Sequence, residues 1–516
     1  MRQFLPDGPH LPPLSMFTFL LPLSLQCLLL HPRFPAPLSR FLRFAIMPLS
    51  LSLAFSAPYN YAVEPRNQGV GVNFVCGIMG GYGVWKALEW GFAKDLTPYT
   101  WVGFDDDDEK EGEEGEEQGK NGAANGSSAS DSERSKANEH GPSPPQSPED
   151  KRAARHRAAA AEHSRLVALR ARQAATDGPL DVLRATGHLL LAMRGQGYPF
   201  CGTSTRPFPH RTEGAFLRRV ALEVGWSHVL LVGCAALLLE PPTARDARVL
   251  SLLPGAVRSA RAAHAVGETA TGLAMGVAVF AALTLGYSVA TLLVAVPNAV
   301  LRRVLPEGSR LRPERTDAGE YPPLFNLAER PQSVAVFWSK QWHSFFSRPF
   351  RFLAYSPLQR LLTPAVGKNA ARALGVLGVF ALSSWIHEYG LSTSTSTLST
   401  SPPFLPPPSS LPFLTRWGGS VYFMAQGLAV VLEGAFTALT GRRVRGWAGT
   451  VWTAGFVVLV GEVLKEAWLT QGLVREVPPF ANWAWPRAAV PLACLLPPPL
   501  WMTEPLPATY GFERGV

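Results

Sequence analysis

The stretch Val336-Phe337-Trp338-Ser339-Lys340-Gln341-Trp342-His343 places two tryptophans, a lysine and a histidine in one short segment of the chain. Long apolar runs lie on both sides of this segment. A second histidine, His387, lies inside the next of these runs. An ionisable side chain within an apolar run favours chemistry inside a membrane, so this pairing decides how the rest of the chain is interpreted.

The composition is that of a membrane protein. Charged residues make up 17% of the 516 residues, below the roughly 25% of soluble proteins. Hydrophobic residues make up 47% and are bunched into runs that approach the roughly 20 residues a membrane helix needs. We therefore predict an all-α, polytopic membrane helix bundle of about eight spans. The runs are 16–30, 41–55, 69–92, 221–239, 267–300, 371–389, 420–440 and 447–470.

Two runs carry more specific expectations. The run 69–92 contains glycines at helical spacing, which predicts that a neighbouring helix approaches it closely. The run 267–300 is longer than one span requires, which predicts a tilted, kinked or broken helix.

Changes in composition divide the chain into three parts. Residues 1–103 hold N-terminal transmembrane spans, and 104–175 form an acidic and then basic linker. The acidic part, up to about residue 150, is too polar to form a core, which predicts disorder, whereas 158–172 can form a basic surface helix. Residues 176–516 form the main membrane domain, with a Ser/Thr/Pro-rich insert at 391–416.

The net charge of +9 lies mainly in short loops between apolar runs. This pattern is typical of cytoplasmic loops and predicts the lipid bilayer, with its anionic headgroups, as partner and no nucleic acid. Loops 31–43, 301–352 and 441–446 are then cytoplasmic. The arginines between residues 245 and 261 fall on the opposite side, against the rule.

Metal and covalent chemistries find no support in the sequence. The five cysteines are far apart and include no CxxC, so neither disulfides nor a metal site is predicted. His387-Glu388 is not followed by the second histidine of a zinc HExxH motif, and no GxSxG nucleophile motif is present.

As one helix, the opening stretch would begin at Ser333 as N-cap. Ser339, His343 and Ser347 would then form a polar stripe beside an aromatic stripe that includes Trp338 and Trp342. Such a helix can line a site or simply anchor the chain at the membrane interface.

His387 needs a partner because a charge at the centre of a membrane helix costs about 2.5–3.5 kcal/mol on insertion scales. Ser383 lies four residues earlier on the same helix face and can supply a hydrogen bond. The histidine then acts as a general base in a site of low polarity, where a neutral imidazole is favoured, or it only reaches the interface from a helix end.

Several motifs resemble those of wax synthase-like membrane-bound O-acyltransferases. Phe337 to His343 is similar to the F-W-x-x-x-W-H block of that family, and Pro322-Pro323-Leu324-Phe325 precedes it. Ser383-Ser384-Trp385-Ile386-His387-Glu388 is similar to the family's helix with a buried histidine. Arg194-Gly195-Gln196-Gly197-Tyr198 resembles its R-G-x-G-W, with tyrosine in place of tryptophan.

The resemblance implies transfer of an acyl group from acyl-CoA to a lipophilic alcohol, such as a fatty alcohol, a sterol or a terpenoid. His387 would be the catalytic base and His343 would assist it. Trp338, Trp342, Arg194 and Ser383 would bind substrate at a tunnel through the helices. Acyl-CoA would be a co-substrate, with no other cofactor and no metal, and the endoplasmic reticulum membrane would be the location. The oligomeric state stays open.

Two other functions remain possible from the residues alone. A multi-pass transporter could use His387 and His343 to relay protons or to bind solute, although the chain shows no paired, similarly interrupted half-repeats. A membrane scaffold could present the acidic arm to a partner.

Overall fold

The structure is a computed structural model that describes residues 14–61, 70–102, 148–201, 212–316, 318–326, 329–395 and 411–473. Every regular element in these ranges is helical, as expected for an all-α membrane bundle. The longer helices are α1 Leu20–Leu28, α2 Ala36–Asn60, α3 Val70–Phe92, α4 Pro148–Thr176, α5 Pro179–Leu191, α6 Glu213–Leu239, α7 Pro242–Leu252, α8 Ala260–Val304, α9 Ser356–Thr395, α10 Gly418–Thr440 and α11 Gly446–Thr470.

Short helical elements connect the longer ones. The 3-10 turns are Leu14–Phe17, Thr97–Tyr99, Gly255–Val257 and Ala318–Glu320. Single α-helical turns are Val334–Val336, Ser347–Pro349 and Phe413–Arg416, and π-helical segments are Phe337–Gln341 and Phe350–Tyr355.

Within the described residues, six helices are long and apolar enough to cross a membrane. They are α2, α6, α8, the helical stretch Ser347–Ser394, α10 and α11. The expectation of about eight also included the run 16–30, which forms only short helices, and α3, in which glycines and a Lys86–Glu89 pair lower the hydropathy. The multi-pass all-α bundle is thus confirmed.

The predicted close approach at α3 is confirmed. A Cβ atom added at Gly77 would lie 2.7 Å from the Cα atom of Gly390 on α9. A Cβ atom added at Gly80 would lie 2.7 Å from the carbonyl oxygen of Ala54 on α2. The glycines therefore let α3 contact both neighbours at backbone distance.

The long run 267–300 lies in one continuous helix, α8, of 45 residues, so it is not broken. Helix α9 contains a break, because Gly367 has a φ of 79°. Such a left-handed conformation suits glycine, which has no Cβ atom to clash. The part of α9 beyond this break carries His387.

A buried ion cluster joins α3 to the chain just before α9. The Glu89 carboxylate accepts hydrogen bonds from Lys86 Nζ (3.1 Å), Tyr99 Oη (2.9 Å) and Arg348 Nε (2.9 Å). Paired in this way, the three charged groups avoid the cost of isolated burial.

The predicted basic surface helix at 158–172 lies within α4. Arg170 Nη1 donates to the Leu96 carbonyl and Gln173 Nε2 to the Trp101 carbonyl, both at 3.0 Å, so the helix rests on the end of the α3 region. Most of the acidic part of the linker and residues 396–410 of the predicted insert lie outside the described residues.

Candidate active site

Helix α9 holds His387 by a hydrogen bond within its own turn. The Nδ1 atom lies 2.7 Å from the carbonyl oxygen of Ser383. A carbonyl oxygen can only accept, so Nδ1 carries the proton and Nε2 keeps its lone pair. The contact is made by the main-chain oxygen of Ser383 and not by the side chain that the sequence suggested, and it leaves the imidazole with one nitrogen that can accept a proton.

Aromatic rings from three other helices surround the His387 imidazole. Phe423 of α10 stacks on it with centroids 4.3 Å apart, Trp468 of α11 lies at 6.0 Å, and Phe74 of α3 at 6.4 Å. The side chain nevertheless keeps some accessible surface. His387 thus stands in an apolar environment that is not completely filled.

The segment after Ser333 is not the continuous helix that the sequence predicted. Ser333 does cap it, since its Oγ accepts from Val336 N at 3.0 Å. The helix then widens into the π-helical segment Phe337–Gln341 and ends at Trp342, whose ψ is 160°. The expected polar stripe of Ser339, His343 and Ser347 on one helix is therefore wrong.

The physical reason for this ending lies at Gln341. Its carbonyl oxygen accepts from Asn326 N at 3.0 Å, and its Nε2 donates to the Glu329 carbonyl at 2.6 Å. These bonds to the preceding loop replace the contacts that a further helical turn would make. The chain turns away, and His343 follows in a non-helical stretch.

Trp338 connects this segment to the surroundings of His387. Its Nε1 donates to Gln426 Oε1 at 3.1 Å, and its ring lies 6.1 Å from Phe423, which stacks on His387. Trp342 lies 5.6 Å from Trp338 and 5.0 Å from Phe325. The two tryptophans therefore form one aromatic wall on this segment, which meets α10 at Trp338.

His343 lies at the other end of this wall. Its Nδ1 atom is buried and has no hydrogen-bond partner in the structure. Burial lowers the pKa of His343 to about 3, and His387 and Arg194 contribute through their charges. His343 is thus neutral at physiological pH.

Arg194 is held tightly beside His343. Its Nε donates to Ser344 Oγ (3.1 Å), its Nη1 to the Pro322 carbonyl (2.6 Å) and its Nη2 to the Pro323 carbonyl (3.1 Å). The side chain is buried. These contacts hold Pro322 and Pro323 close to Ser344, the residue that follows His343. The predicted role of Arg194 in binding acyl-CoA stays a prediction.

Other helices contribute residues to this site that no sequence motif marked. Phe423, Gln426 and Trp468 contact His387 or Trp338, but in the sequence they are ordinary residues of apolar runs. Aromatic residues of apolar runs face lipid as often as protein, so no pattern in the sequence marks them.

These observations first define a class: a multi-pass membrane protein that holds a histidine within its helix bundle, beside an aromatic segment that carries a second histidine. Residues 321–406, which include both histidines, match the membrane bound O-acyl transferase family. No solved structure matches the chain.

A curated relative is similar to part of the chain. It is the probable long-chain-alcohol O-fatty-acyltransferase 8 of Arabidopsis thaliana, 24% identical over 181 residues. The similarity covers 34% of this chain and 45% of the relative, so the chain spans less than half of the relative's length. The family match and this relative point to the same resemblance, to wax synthase-like membrane bound O-acyl transferases.

Proposed function

We propose that the protein transfers an acyl group from acyl-CoA to the hydroxyl group of a lipophilic alcohol. The family match and the name of the relative support acyl transfer to an alcohol oxygen. Fatty alcohols, sterols and terpenoids are the acceptor classes, and acyl-CoA is a co-substrate, with no further cofactor. The endoplasmic reticulum membrane is the proposed location, which fluorescence microscopy of the tagged full-length chain tests.

In the proposed reaction, His387 Nε2 removes the proton of the alcohol hydroxyl. The alcohol oxygen attacks the carbonyl carbon of the thioester, and a carbon–oxygen bond forms. The carbon–sulfur bond then breaks, CoA leaves as a thiolate, and the imidazolium returns its proton to the sulfur. The Ser383 carbonyl, which accepts from Nδ1, stabilises the imidazolium between these steps.

The remaining predicted residues have supporting roles in this proposal. His343, whose side chain keeps some accessible surface, orients a substrate oxygen. Trp338 and Trp342 form an apolar wall along the acyl chain, and Arg194 keeps the entrance in shape through its contacts with Pro322 and Pro323.

The hydrogen bond from His387 Nδ1 to the Ser383 carbonyl is the observation that carries the proposal. It presents an imidazole with a free basic nitrogen among aromatic rings. A histidine whose only task was to reach the membrane interface would not need this fixed tautomer or these stacked neighbours.

The test uses membranes that contain the full-length protein, a mixture of acyl-CoAs and a panel of alcohols, with products identified by mass spectrometry. We expect an ester product from the wild type and a loss of about 10²- to 10⁴-fold in rate for His387→Ala. His264→Ala is the control, because the His264 side chain is 60% exposed and lies near the start of α8, outside the proposed site. Normal turnover by His387→Ala would exclude the mechanism, and CoA-independent solute uptake without ester formation would favour a transporter.

A further inference from the structure

We call Val334–Gln341 the motif segment. The residues just before it and at its start lie along the hairpin formed by α10 and α11. The guanidinium of Arg330 stacks over the Trp447 ring at 4.2 Å. Gly446 N donates to Gln332 Oε1 at 3.4 Å. The next contacts along the segment also go to this hairpin.

Glu433 of α10 binds the beginning of the motif segment directly. Its Oε1 accepts from Val334 N (2.7 Å) and Trp452 Nε1 (2.9 Å), and its Oε2 accepts from Ala335 N (3.0 Å). The residue is 7% exposed. A carboxylate inside an apolar span is costly without such partners, and the first N–H groups of a helix are favourable ones.

Gln426 binds the same segment two helical turns earlier on α10. It is seven residues before Glu433 and therefore lies on the same helix face. Its Oε1 accepts from Trp338 Nε1 at 3.1 Å. Because an indole N–H can only donate, the carbonyl end of the Gln426 amide must face the tryptophan. Helix α10 thus holds the segment at its start and at Trp338.

Close backbone contact with α11 completes the attachment. A Cβ atom added at Gly449 would lie 2.0 Å from the carbonyl oxygen of Gln332. Only glycine allows this approach, since real Cβ contacts are never so short. By contrast, Gly455 on the same helix has nothing within 4 Å of its added Cβ atom.

We propose that Glu433, supported by Gln426 and Gly449, is a positioning residue that holds the motif segment Val334–Gln341 so that Trp338 and His343 face the His387 environment. This role rests on the proposed acyl transfer. Phe423, which stacks on His387, lies on α10 one turn from Gln426, so a single helix sets the position of both halves of the site.

The first test is Glu433→Gln in the full-length protein in membranes. The amide keeps the shape but leaves one oxygen for three N–H donors. We expect kcat to fall at least about tenfold, because small misplacements of reacting groups are costly, while KM for acyl-CoA changes less than threefold. Glu307→Gln, at a 91% exposed carboxylate, is the control and should keep the wild-type kcat. A wild-type kcat for Glu433→Gln would overturn the proposal.

The second variant keeps the proposal testable if Glu433→Gln fails to fold. Gly449→Ala forces the Gln332 carbonyl away, whereas Gly455→Ala on the same helix meets open space. Both substitutions raise helix propensity equally, so the comparison isolates the contact. We expect kcat to fall at least about tenfold in Gly449→Ala only. Equal kcat values for the two variants would contradict the proposal.

Hydrogen–deuterium exchange separates this inference from the proposed function. The Val334 and Ala335 amides donate to Glu433, so their exchange should be faster in Glu433→Gln without any substrate present. Unchanged exchange overturns the positioning contact. If exchange is faster in Glu433→Gln but the wild type makes no ester, the positioning contact is supported. Only the proposed acyl-transfer function is then overturned.

Discussion

At the residue scale, one hydrogen bond decides which nitrogen of His387 can react. The Nδ1 proton is committed to the Ser383 carbonyl, so Nε2 is the basic atom. The sequence could place Ser383 and His387 on one helix face, because a spacing of four residues does so in any α-helix. It could not show that the main-chain oxygen, and not the hydroxyl, makes the contact.

His343 makes stability depend on pH. Its pKa falls from 6.5 to about 3 on burial, so between these values the unfolded chain binds a proton that the folded chain does not. Stability is therefore complete above about pH 6.5 and is lost as the pH falls toward 3, by up to about 1.4 kcal/mol per pH unit. The apparent unfolding midpoint in detergent should thus decline between pH 7 and pH 5.

The decline should be smaller in His343→Gln, which cannot take up this proton. His264→Gln is the matched control, because the His264 side chain is 60% exposed, and it should follow the wild type. Identical pH profiles for wild type and His343→Gln would show that His343 is not buried in its neutral form.

At the scale of the elements, helix periodicity predicted the spans well and the motif segment poorly. A span must satisfy its own backbone hydrogen bonds in lipid, so an apolar run of sufficient length is a helix wherever it packs. The segment 334–346 instead bonds to its surroundings through Gln341 and Glu433. Glu433 is 99 positions from Val334, whereas Gln341 bonds to the loop just before the segment. Together these contacts replace the expected regular helix with a π-helical turn and an extended end.

Helix α3 gives a prediction about packing between elements. In Gly77→Ala, the added methyl group would lie 2.3 Å from Thr393 Oγ1 and 2.7 Å from Gly390 Cα. Such overpacking costs about 1–3 kcal/mol. We expect a lower apparent unfolding midpoint, measured by thermal unfolding of the purified protein in detergent.

Gly233→Ala on α6 is the matched control, because nothing lies within 4 Å of its added Cβ atom. This variant should unfold at the wild-type temperature or slightly above it, since alanine favours the helix. Equal destabilisation of the two variants would mean that α3 and α9 are not in backbone contact.

At the scale of the whole molecule, a second buried ion network joins α7, α8 and α11. Lys465 Nζ donates to Glu268 Oε2 (2.6 Å) and Thr271 Oγ1 (3.1 Å), and it also contacts Glu462. Arg245 Nη2 donates to Glu268 Oε1 at 2.6 Å. Apart from the Lys465–Glu462 contact within α11, these pairs join residues 23 to 197 positions apart in the chain, and no local sequence pattern predicts contact at such separations.

This network includes one of the arginines between residues 245 and 261, which do not follow the expected concentration of positive charge in cytoplasmic loops. Arg245 is paired with Asp246 and Glu268, and Arg248 with Glu240. Arg258 donates to main-chain oxygens of its own loop. Arg245, Arg248 and Arg258 are thus all engaged in contacts within the structure, as is Arg302 of the 301–352 loop, which pairs with Glu213. The orientation inferred from the 31–43, 301–352 and 441–446 loops stays a prediction.

Removing the central cation should destabilise the bundle. Lys465→Met leaves Glu268 with Arg245 alone and removes the cation from Glu462. Because both carboxylates are about one-third exposed, we expect a loss of about 1–3 kcal/mol, below the cost of breaking a fully buried pair. We expect a markedly lower unfolding midpoint in detergent. In the control Arg248→Met, which breaks a pair whose arginine side chain is 53% exposed, the loss should stay below about 1 kcal/mol. A Lys465→Met midpoint no lower than that of the control would contradict the buried network.

The sequence by itself determined that the chain is an all-α membrane bundle and where most helices lie, because lipid forces each apolar run to satisfy its backbone internally. It also pointed to His387, because an ionisable group in an apolar run needs a reason to be there, and to His343 through the aromatic motif that contains it. Tertiary structure alone decided what surrounds these residues. Phe423 and Trp468 reach His387, and Glu433 and Gln426 hold the motif segment, only because helices distant in sequence pack together. Apolar runs specify helices, but which faces meet depends on side-chain shape and on polar pairs that no local pattern encodes.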